Sequence, residues 1–395
     1  RWTQVCMQYG SAHAAEFGYE TYKEGPKRLG WLLNLVNTTV SKDGSPDRSG
    51  LECFFIEQNG NLFKATVIYN PYFYISVKKK SEKIVASFLE RKYRQQLSEV
   101  KIIGLMDLDK IEHMTGEPST FLQLLFHNVS DLMDVRKDIM DALKTNSQNT
   151  ITLEDNTLTE DDVALHSRLL AEDPLSQVTG IREYDVPYLA RVCIDLNIRI
   201  GCWYDVSSDR GVISVTRQEH ILTPSNAKVF AFDIECAKAP LKFPDASVDA
   251  IYMISIMIDG RGLLIINREI VSKDIEDFEY TPHPDYKGPF HVFNEASEEA
   301  LLRRFYSLIE EEKPNIFVTF NGDFFDWGFI RDRSAVYGID LARETGFREV
   351  NGEFRGRSAV HLDAFAWVKR DSYLPHGSQG LKAVTRAKLG YDPME

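Results

Sequence analysis

The chain has 395 residues, 43% of them apolar and 27% charged, with 46 Lys+Arg against 59 Asp+Glu and a formal net charge of −13. At about 150 residues per domain, this length predicts two or three domains, and the composition excludes disordered, collagen-like and coiled-coil chains. The acidic balance speaks against nucleic-acid binding over the whole surface, which needs a basic face. The longest apolar run with a single polar break, Ala250 to Ile258, is shorter than the roughly 18 residues of a membrane span, and no membrane partner is expected. A first residue other than Met, with no charged-then-apolar leader, points to a piece of a longer protein. Cys6, Cys53, Cys193, Cys202 and Cys236 form no Cys-x-x-Cys pair, which predicts reduced thiols and argues against a disulfide scaffold or zinc ribbon. No His-x-x-x-His spacing supports a zinc hydrolase.

In chain order, Gly30 to Val40, Leu51 to Ile56, Phe63 to Tyr69 and Pro71 to Val77 read as strands, with Asn59-Gly60 as a hairpin turn. Ser81 stands where it can cap a helix whose apolar stripe is Ile84, Phe88 and Leu89. A strand over Phe121 to His127 and a helix around Asp131 to Leu143 complete a small α+β module. Thr145 to Asp162 is polar and acidic and reads as an excursion. Pro224-Ser225-Asn226 marks a domain boundary.

Beyond it, Val229 to Ile234, Ile251 to Ile258 and Gly262 to Ile266 read as adjacent strands of one sheet. A helix over Glu298 to Glu310, a strand over Ile316 to Phe320 and a helix entering at Asp326 follow. Ser378 is a good N-cap for a last helix ending at Gly390. A mixed sheet with helices on its faces is expected here.

The sharpest signal is Phe232-Asp233-Ile234-Glu235. Side chains two apart in a strand share a face, so Asp233 and Glu235 stand side by side. Such like charges repel unless a cation lies between them, and hard divalent cations take carboxylate oxygens. Asp-x-Glu recurs at Asp274 and Asp277, but in an acid-rich stretch that reads as a solvated loop. A second feature is Ile316 to Phe320 running into Asn321-Gly322-Asp323-Phe324-Phe325-Asp326-Trp327: strand, tight turn, helix start. Asp323 reads as the helix cap. Asp326, in the first turn, is free to point at the sheet end. One of Phe324 and Phe325 is expected in the core, while the other can stack on a base of single-stranded nucleic acid.

These two segments resemble exonuclease motifs I and II of the family B DNA polymerases. Arg182 to Tyr188, Leu241 to Asp245, Asn267 to Ile270, Ile275 to Glu279, Val368 to Pro375 and Gly390 to Pro393 extend the resemblance from about Phe17 to the last residue. The resemblance implies an α/β (α+β) fold: an N-terminal domain, residues 1–226, then a ribonuclease-H-like 3′→5′ proofreading exonuclease domain, residues 227–395. It implies a nuclear replicative polymerase that partners DNA at a single-stranded primer 3′ end, together with the rest of the polymerase chain and accessory subunits. Asp233 and Glu235 match the motif I acids and Asp326 the motif II acid, holding two Mg²⁺ or Mn²⁺ ions. Phe243, Pro244, Asn321 and Phe324 fall where DNA contacts are expected. The basic stretch Arg355 to Lys388, including Lys369 and Arg370, would hold backbone phosphates.

Three departures stand out. Cys236-Ala237 replaces the usual Thr after the motif I Glu, Gly328 replaces the usual Pro after the motif II Trp, and Tyr-x-x-x-Asp of motif III is absent after Asp326. Asp363 is strand-borne, matches no motif and reads as structural. Polymerase palm motifs and cysteine clusters for zinc or iron–sulfur are absent from these residues. Two rivals to a proofreading region are a non-catalytic nucleic-acid-binding or scaffold module, stacking bases on Tyr72-Phe73-Tyr74, and a stand-alone nuclease needing a complete acid set. For those aromatics the simpler expectation is core packing against the exonuclease domain.

Overall fold

The computed structural model describes residues 14–41, 44–109, 116–154, 173–285, 287–371, 374 and 379–391. Strands β1 (Glu20–Tyr22), β2 (Arg28–Val40), β3 (Arg48–Ile56) and β4 (Leu62–Ile68) open the chain. A β-α-β-β-α-β unit follows: β5 (Tyr72–Val77), α1 (Glu82–Lys92), β6 (Leu97–Leu105), β7 (Ser119–Phe126), α2 (Val129–Glu154) and β8 (Val178–Arg182). Its four strands form an antiparallel sheet of order β6-β7-β5-β8. Helix α3 (Tyr188–Asp195) then leads to β9 (Trp203–Asp209) and β10 (Val212–Arg217), which return to the first sheet and complete the order β1-β4-β3-β2-β9-β10.

Four expectations for this half are corrected. Ile84 is exposed and Val85 is buried in its place, while Leu89 is buried and Phe88 packs against the core as expected. Ser81 does occupy the N-cap of α1, but its side chain makes no capping bond. Residues 145–154 continue helix α2 rather than forming an excursion, and 155–162 lie outside the described residues. The β5 aromatics divide: Phe73 enters the core beneath α1 and α2, whereas Tyr72 and Tyr74 cluster with Phe121 on the other face. There Arg191 of α3 lies over the Tyr72 ring, 4.4 Å from its centroid, and Asp195 accepts the Tyr72 hydroxyl at 2.7 Å. These rings pack inside the N-terminal half, not against the second sheet.

The second half starts with β11 (Val229–Cys236), β12 (Ile251–Ile258), β13 (Arg261–Asn267), β14 (Phe278–Tyr280) and β15 (Gly288–Glu295). Helix α4 (Glu298–Glu312), β16 (Ile316–Thr319), α5 (Asp326–Val336) and α6 (Leu341–Thr345) come next. A hairpin of β17 (Arg348–Val350) and β18 (Glu353–Arg355), strand β19 (Val360–Asp363), α7 (Ala364–Asp371) and α8 (Leu381–Leu389) complete it. The seven-stranded sheet has the order β14-β15-β13-β12-β11-β16-β19. It is mixed: β11 is antiparallel to β12 and parallel to β16, which is parallel to β19. The three apolar runs expected to be neighbours are neighbours. Helix α8 stops at Gly390, whose φ of +74° suits glycine; Ser378 lies outside the described residues. The acid-rich stretch is less free than expected, because Asp277 accepts the Val292 N–H at 2.8 Å and Phe278 stacks on Phe290.

Strand alternation fills the core. Phe230, Phe232 and Ile234 point into it, against Phe305 of α4 and Trp327 of α5. Ser297 caps α4, its Oγ accepting from Ala300 N, and Leu301, Leu302, Phe305, Leu308 and Ile309 line the helix's buried face. A buried ion pair joins α4 to α5. Glu298 and Arg333 have side chains 1% and 8% exposed, and Glu298 also accepts from Ile251 N and Tyr337 Oη. Arg333 donates a further bond to the Ala246 carbonyl. Removing one partner strands the other charge in the interior, so Arg333→Met is expected to cost about 3–5 kcal/mol. Urea unfolding measures this, and a loss below about 0.5 kcal/mol would contradict the pairing.

Candidate active site

The site forms where the sheet loses a strand. β11 pairs with β16 only from Val229 to Ala231, although β11 runs on to Cys236. In the space beyond, the first residue of α5 takes over: Asp326 Oδ1 accepts the Ile234 N–H at 3.2 Å. A side-chain oxygen thus stands where a ladder carbonyl would be, satisfying a buried donor. Asp326 is 2% exposed. Asp233 and Glu235 point to the open face of β11, opposite Phe232 and Ile234, as alternation requires. A bulge at Glu235/Cys236 bends the strand end beside them.

What fixes Asp326 is its neighbour. The indole of Trp327, fully buried, stacks on Phe347 (4.9 Å) and meets Phe232 edge-on (5.0 Å) and Phe317 at 5.6 Å. The turn before α5 is equally constrained. Asn321 has φ +67°, and a Cβ at Gly322 would lie 2.2 Å from Thr319 Oγ1, so only glycine fits. Asp323 is not the helix cap: Phe325 holds that position without a side-chain bond, and Asp323 Oδ1 accepts the Phe354 N–H at 2.6 Å. Asp363 has the structural part expected of it, accepting from Asn321 N (2.8 Å), Phe365 N (2.9 Å) and Asp323 N (3.3 Å).

The electrostatics follow from this crowding. Burial, then the Asp233 charge, pushes Asp326 up to about 7; Asp363 adds to the effect and the Ile234 N–H opposes it. Asp233 is pushed to about 6 by burial and then by Glu235. Among the described residues no cation figures in either environment. The Cys236 thiol is pushed up to about 12 by burial, Asp326 and Glu235, so it stays protonated. Among the described residues no three His, Cys, Asp or Glu side chains close on one point. Asp233, Glu235 and Asp326 thus do not close on a single point as the sequence led one to expect; their chemistry, carboxylate oxygens without a paired cation, suits a hard divalent ion rather than a soft one.

On the solvent side of the same turn lies an open groove of about 710 Å³, lined by Phe243, Pro244, Phe324, Phe325 and Gly328. Phe325 packs on the core and crosses Phe243 at 5.7 Å, whereas Phe324 is 76% and Phe243 71% exposed. The basic stretch is partly neutralised. Arg355 pairs with Glu353 and Arg357 with Glu52, while exposed Lys369 lies over the Phe365 ring and Arg370 is exposed on α7. His361, two residues before Asp363, escapes a reading of the sequence alone; the parallel register of β19 with β16 is the signal that finds it.

The family described as DNA polymerase family B, exonuclease domain, matches residues 179–384. Among curated relatives, the DNA polymerase epsilon catalytic subunit of Aspergillus fumigatus is 46% identical over 96% of this chain and 18% of its own length. That of Schizosaccharomyces pombe is 45% identical over 96% of this chain and 17% of its own length, and that of Arabidopsis thaliana 43% over 96% and 18%. The chain therefore spans less than a fifth of these relatives. The family B DNA polymerase of the archaeon Pyrobaculum calidifontis shares the fold, with a TM-score of 0.60 at 17% identity, covering 91% of this chain and 39% of that one.

The raised pKa of Asp326 has a signed consequence. An unfolded Asp loses its proton near pH 4, whereas folded Asp326 holds it to about 7, so metal-free stability falls as pH rises through that window. Asp326→Asn keeps an acceptor for Ile234 N and removes the charge. In EDTA at pH 8 it is expected to stabilise the protein by an amount on the order of 3 kcal/mol, and at pH 4 by nearly nothing. Thermal unfolding at the two pH values checks this.

Proposed function

The chain belongs to the DNA polymerases of family B and carries their exonuclease domain, and on that footing we propose that it trims mispaired 3′ ends of DNA by metal-assisted phosphodiester hydrolysis. We divide it between β10 and β11, into residues 1–226 and 227–395; the passage from one sheet to the next at that point supports the division. The parent protein is then a replicative, epsilon-type polymerase acting in the nucleus with accessory subunits, its synthesis centre outside these residues. The similarity to epsilon catalytic subunits along 96% of the chain supports that context.

The observation that carries the reading is Asp326 seated on Ile234 beside Asp233, two crowded carboxylates that, among the described residues, have no cation paired with them. Asp233, Glu235 and Asp326 would hold Mg²⁺ or Mn²⁺, two ions in all. When bound, these supply an activated water and offset charge on the phosphate and the departing oxygen. The protein's own share is to receive and orient the strand. Exposed Phe324 and Phe243 offer flat apolar faces to the terminal bases, the Asn321 turn borders that surface, and Lys369 and Arg370 meet backbone phosphates. An unpaired end costs less to peel from its template, which gives the site its preference for mismatches.

A non-catalytic binding module finds less support. Tyr72 and Tyr74, the rings it would stack bases on, are each only 9% exposed.

The full-length protein, given Mg²⁺ and an end-labelled primer with a mismatched 3′ nucleotide, is expected to trim it. Asp233→Ala or Asp326→Ala should slow trimming at least about 100-fold. The 395 residues alone, lacking Tyr-x-x-x-Asp after Asp326, should trim weakly at most. Equal trimming by wild type and Asp233→Ala would sink the proposal.

A further inference from the structure

Helix α5 begins without a side-chain cap, yet its first residue has to meet Ile234 with its carboxylate. The turn that delivers it contains Asn321, a non-glycine residue at φ +67°, a conformation that persists only where surroundings impose it. Those surroundings are largely β19. Asp363 takes the N–H groups of Asn321 and Asp323. Two residues earlier, on the same face of the strand, the His361 ring reaches both ends of the turn. Its Nε2 lies 2.8 Å from Thr319 Oγ1, in the last residue of β16. Its Nδ1 lies 3.2 Å from Asp323 Oδ1.

A carboxylate only accepts, so Nδ1 carries the proton toward Asp323, and Nε2 accepts from the Thr319 hydroxyl. Burial holds this imidazole below its ordinary range despite the Asp323 and Asp363 charges and a bond with the Phe354 backbone, which suits a neutral ring with both nitrogens engaged. The side chain is 2% exposed and lies edge-on to Trp327 at 5.6 Å. His361 therefore touches the end of β16, the turn and the anchor of α5 at once.

Taking the exonuclease reading as given, we infer that His361 is a positioning residue for the Asp326 carboxylate: by bridging Thr319 and Asp323 it sets where the first turn of α5 presents that acid to β11. It makes no contact with the reacting atoms. Its effect should therefore appear in turnover and in cation affinity rather than in DNA binding. Catalytic groups displaced by about 1 Å lose rate steeply.

The test uses the full-length protein with His361→Phe, which fills the space beside Trp327 but bonds neither partner, and His361→Gln, whose amide can donate to Asp323 and accept from Thr319. Trimming of single-stranded DNA gives kcat and KM, and Mn²⁺ titration followed by electron paramagnetic resonance gives cation affinity at one pH. His361→Phe is expected to lower kcat about 10-fold or more, leave KM within about 2-fold and weaken Mn²⁺ binding, with His361→Gln recovering most of both. A folded His361→Phe that keeps kcat and Mn²⁺ affinity within 2-fold of wild type overturns the inference, as does a His361→Gln no better than Phe. Should His361→Phe not fold, Thr319→Val removes one of the two bonds at nearly constant volume, and unchanged kcat and Mn²⁺ affinity there overturn it equally. Asp233→Ala runs alongside: if it trims like wild type, the exonuclease reading fails, and the Mn²⁺ titration alone then decides whether His361 positions Asp326.

Discussion

A single side-chain oxygen closing the end of a β-ladder holds the site together. Because β16 stops at Thr319, β11 would present an unpaired N–H at Ile234 to the interior. Asp326 supplies the acceptor, and in doing so brings its charge to the strand that carries Asp233 and Glu235. The helix cannot slide to relieve the repulsion, since Trp327 is locked among Phe232, Phe317, Phe347 and Phe354. Aromatic packing on the inner face of β11 thus imposes an electrostatic penalty on its outer end. An uncompensated buried charge is normally selected out of a core; placed at a strand end with perturbed pKa values, it makes this end of the sheet the candidate functional site.

Packing and charge also explain how the N-terminal sheet bears on that site. Strand β19 has four residues and, among the described residues, pairs only with β16, too little to hold a register by itself. The segment leading into it is gripped by the N-terminal half: Asn34 Nδ2 of β2 donates to the carbonyls of Gly356 and Arg357, and Tyr19 Oη, just before β1, donates to that of Ser358. Glu52, 9% exposed in its side chain, pairs with Arg357 on one side and Lys64 on the other. This charged triad is enclosed and hydrogen-bonded on both flanks, the condition under which buried ions specify a geometry rather than merely cost desolvation. Ala14, Phe17, Tyr19 and Phe54 extend the hydrophobic core of the second half into the first. The exonuclease fold is therefore braced by residues far outside its own sheet.

Much of this is legible in the sequence, and the reason is local. Alternation around Phe232-Asp233-Ile234-Glu235 sets inward and outward faces within one strand, so the acid pair can be read without any partner. Asn321-Gly322 announces a turn by its backbone chemistry, and Ile316 to Phe320 announces the strand before it. The misreadings are where a distant group displaces a local one. Asp323 reads as a cap because caps lie three residues before such positions, yet Phe354 N, 31 residues later, takes its carboxylate. Ile84 fits a helical stripe as well as Val85, and only the angle at which α1 meets its sheet chooses between them.

His361 shows the same boundary from the other side. In sequence it is one histidine between two aliphatic residues, with no spacing that suggests a ligand or base. Its meaning arises from register: the parallel pairing of Phe317 with His361 and of Thr319 with Asp363 puts two polar side chains of β19 beside the exit of β16. A parallel neighbour separated by about forty residues leaves no periodic trace in either segment, since each strand satisfies its own alternation independently. The acid pair of β11 is legible because alternation puts both residue types on one face at short spacing. The groups that aim those acids are not, because any strand that reaches the turn with suitable donors and acceptors would serve, and only the folded chain shows which one does.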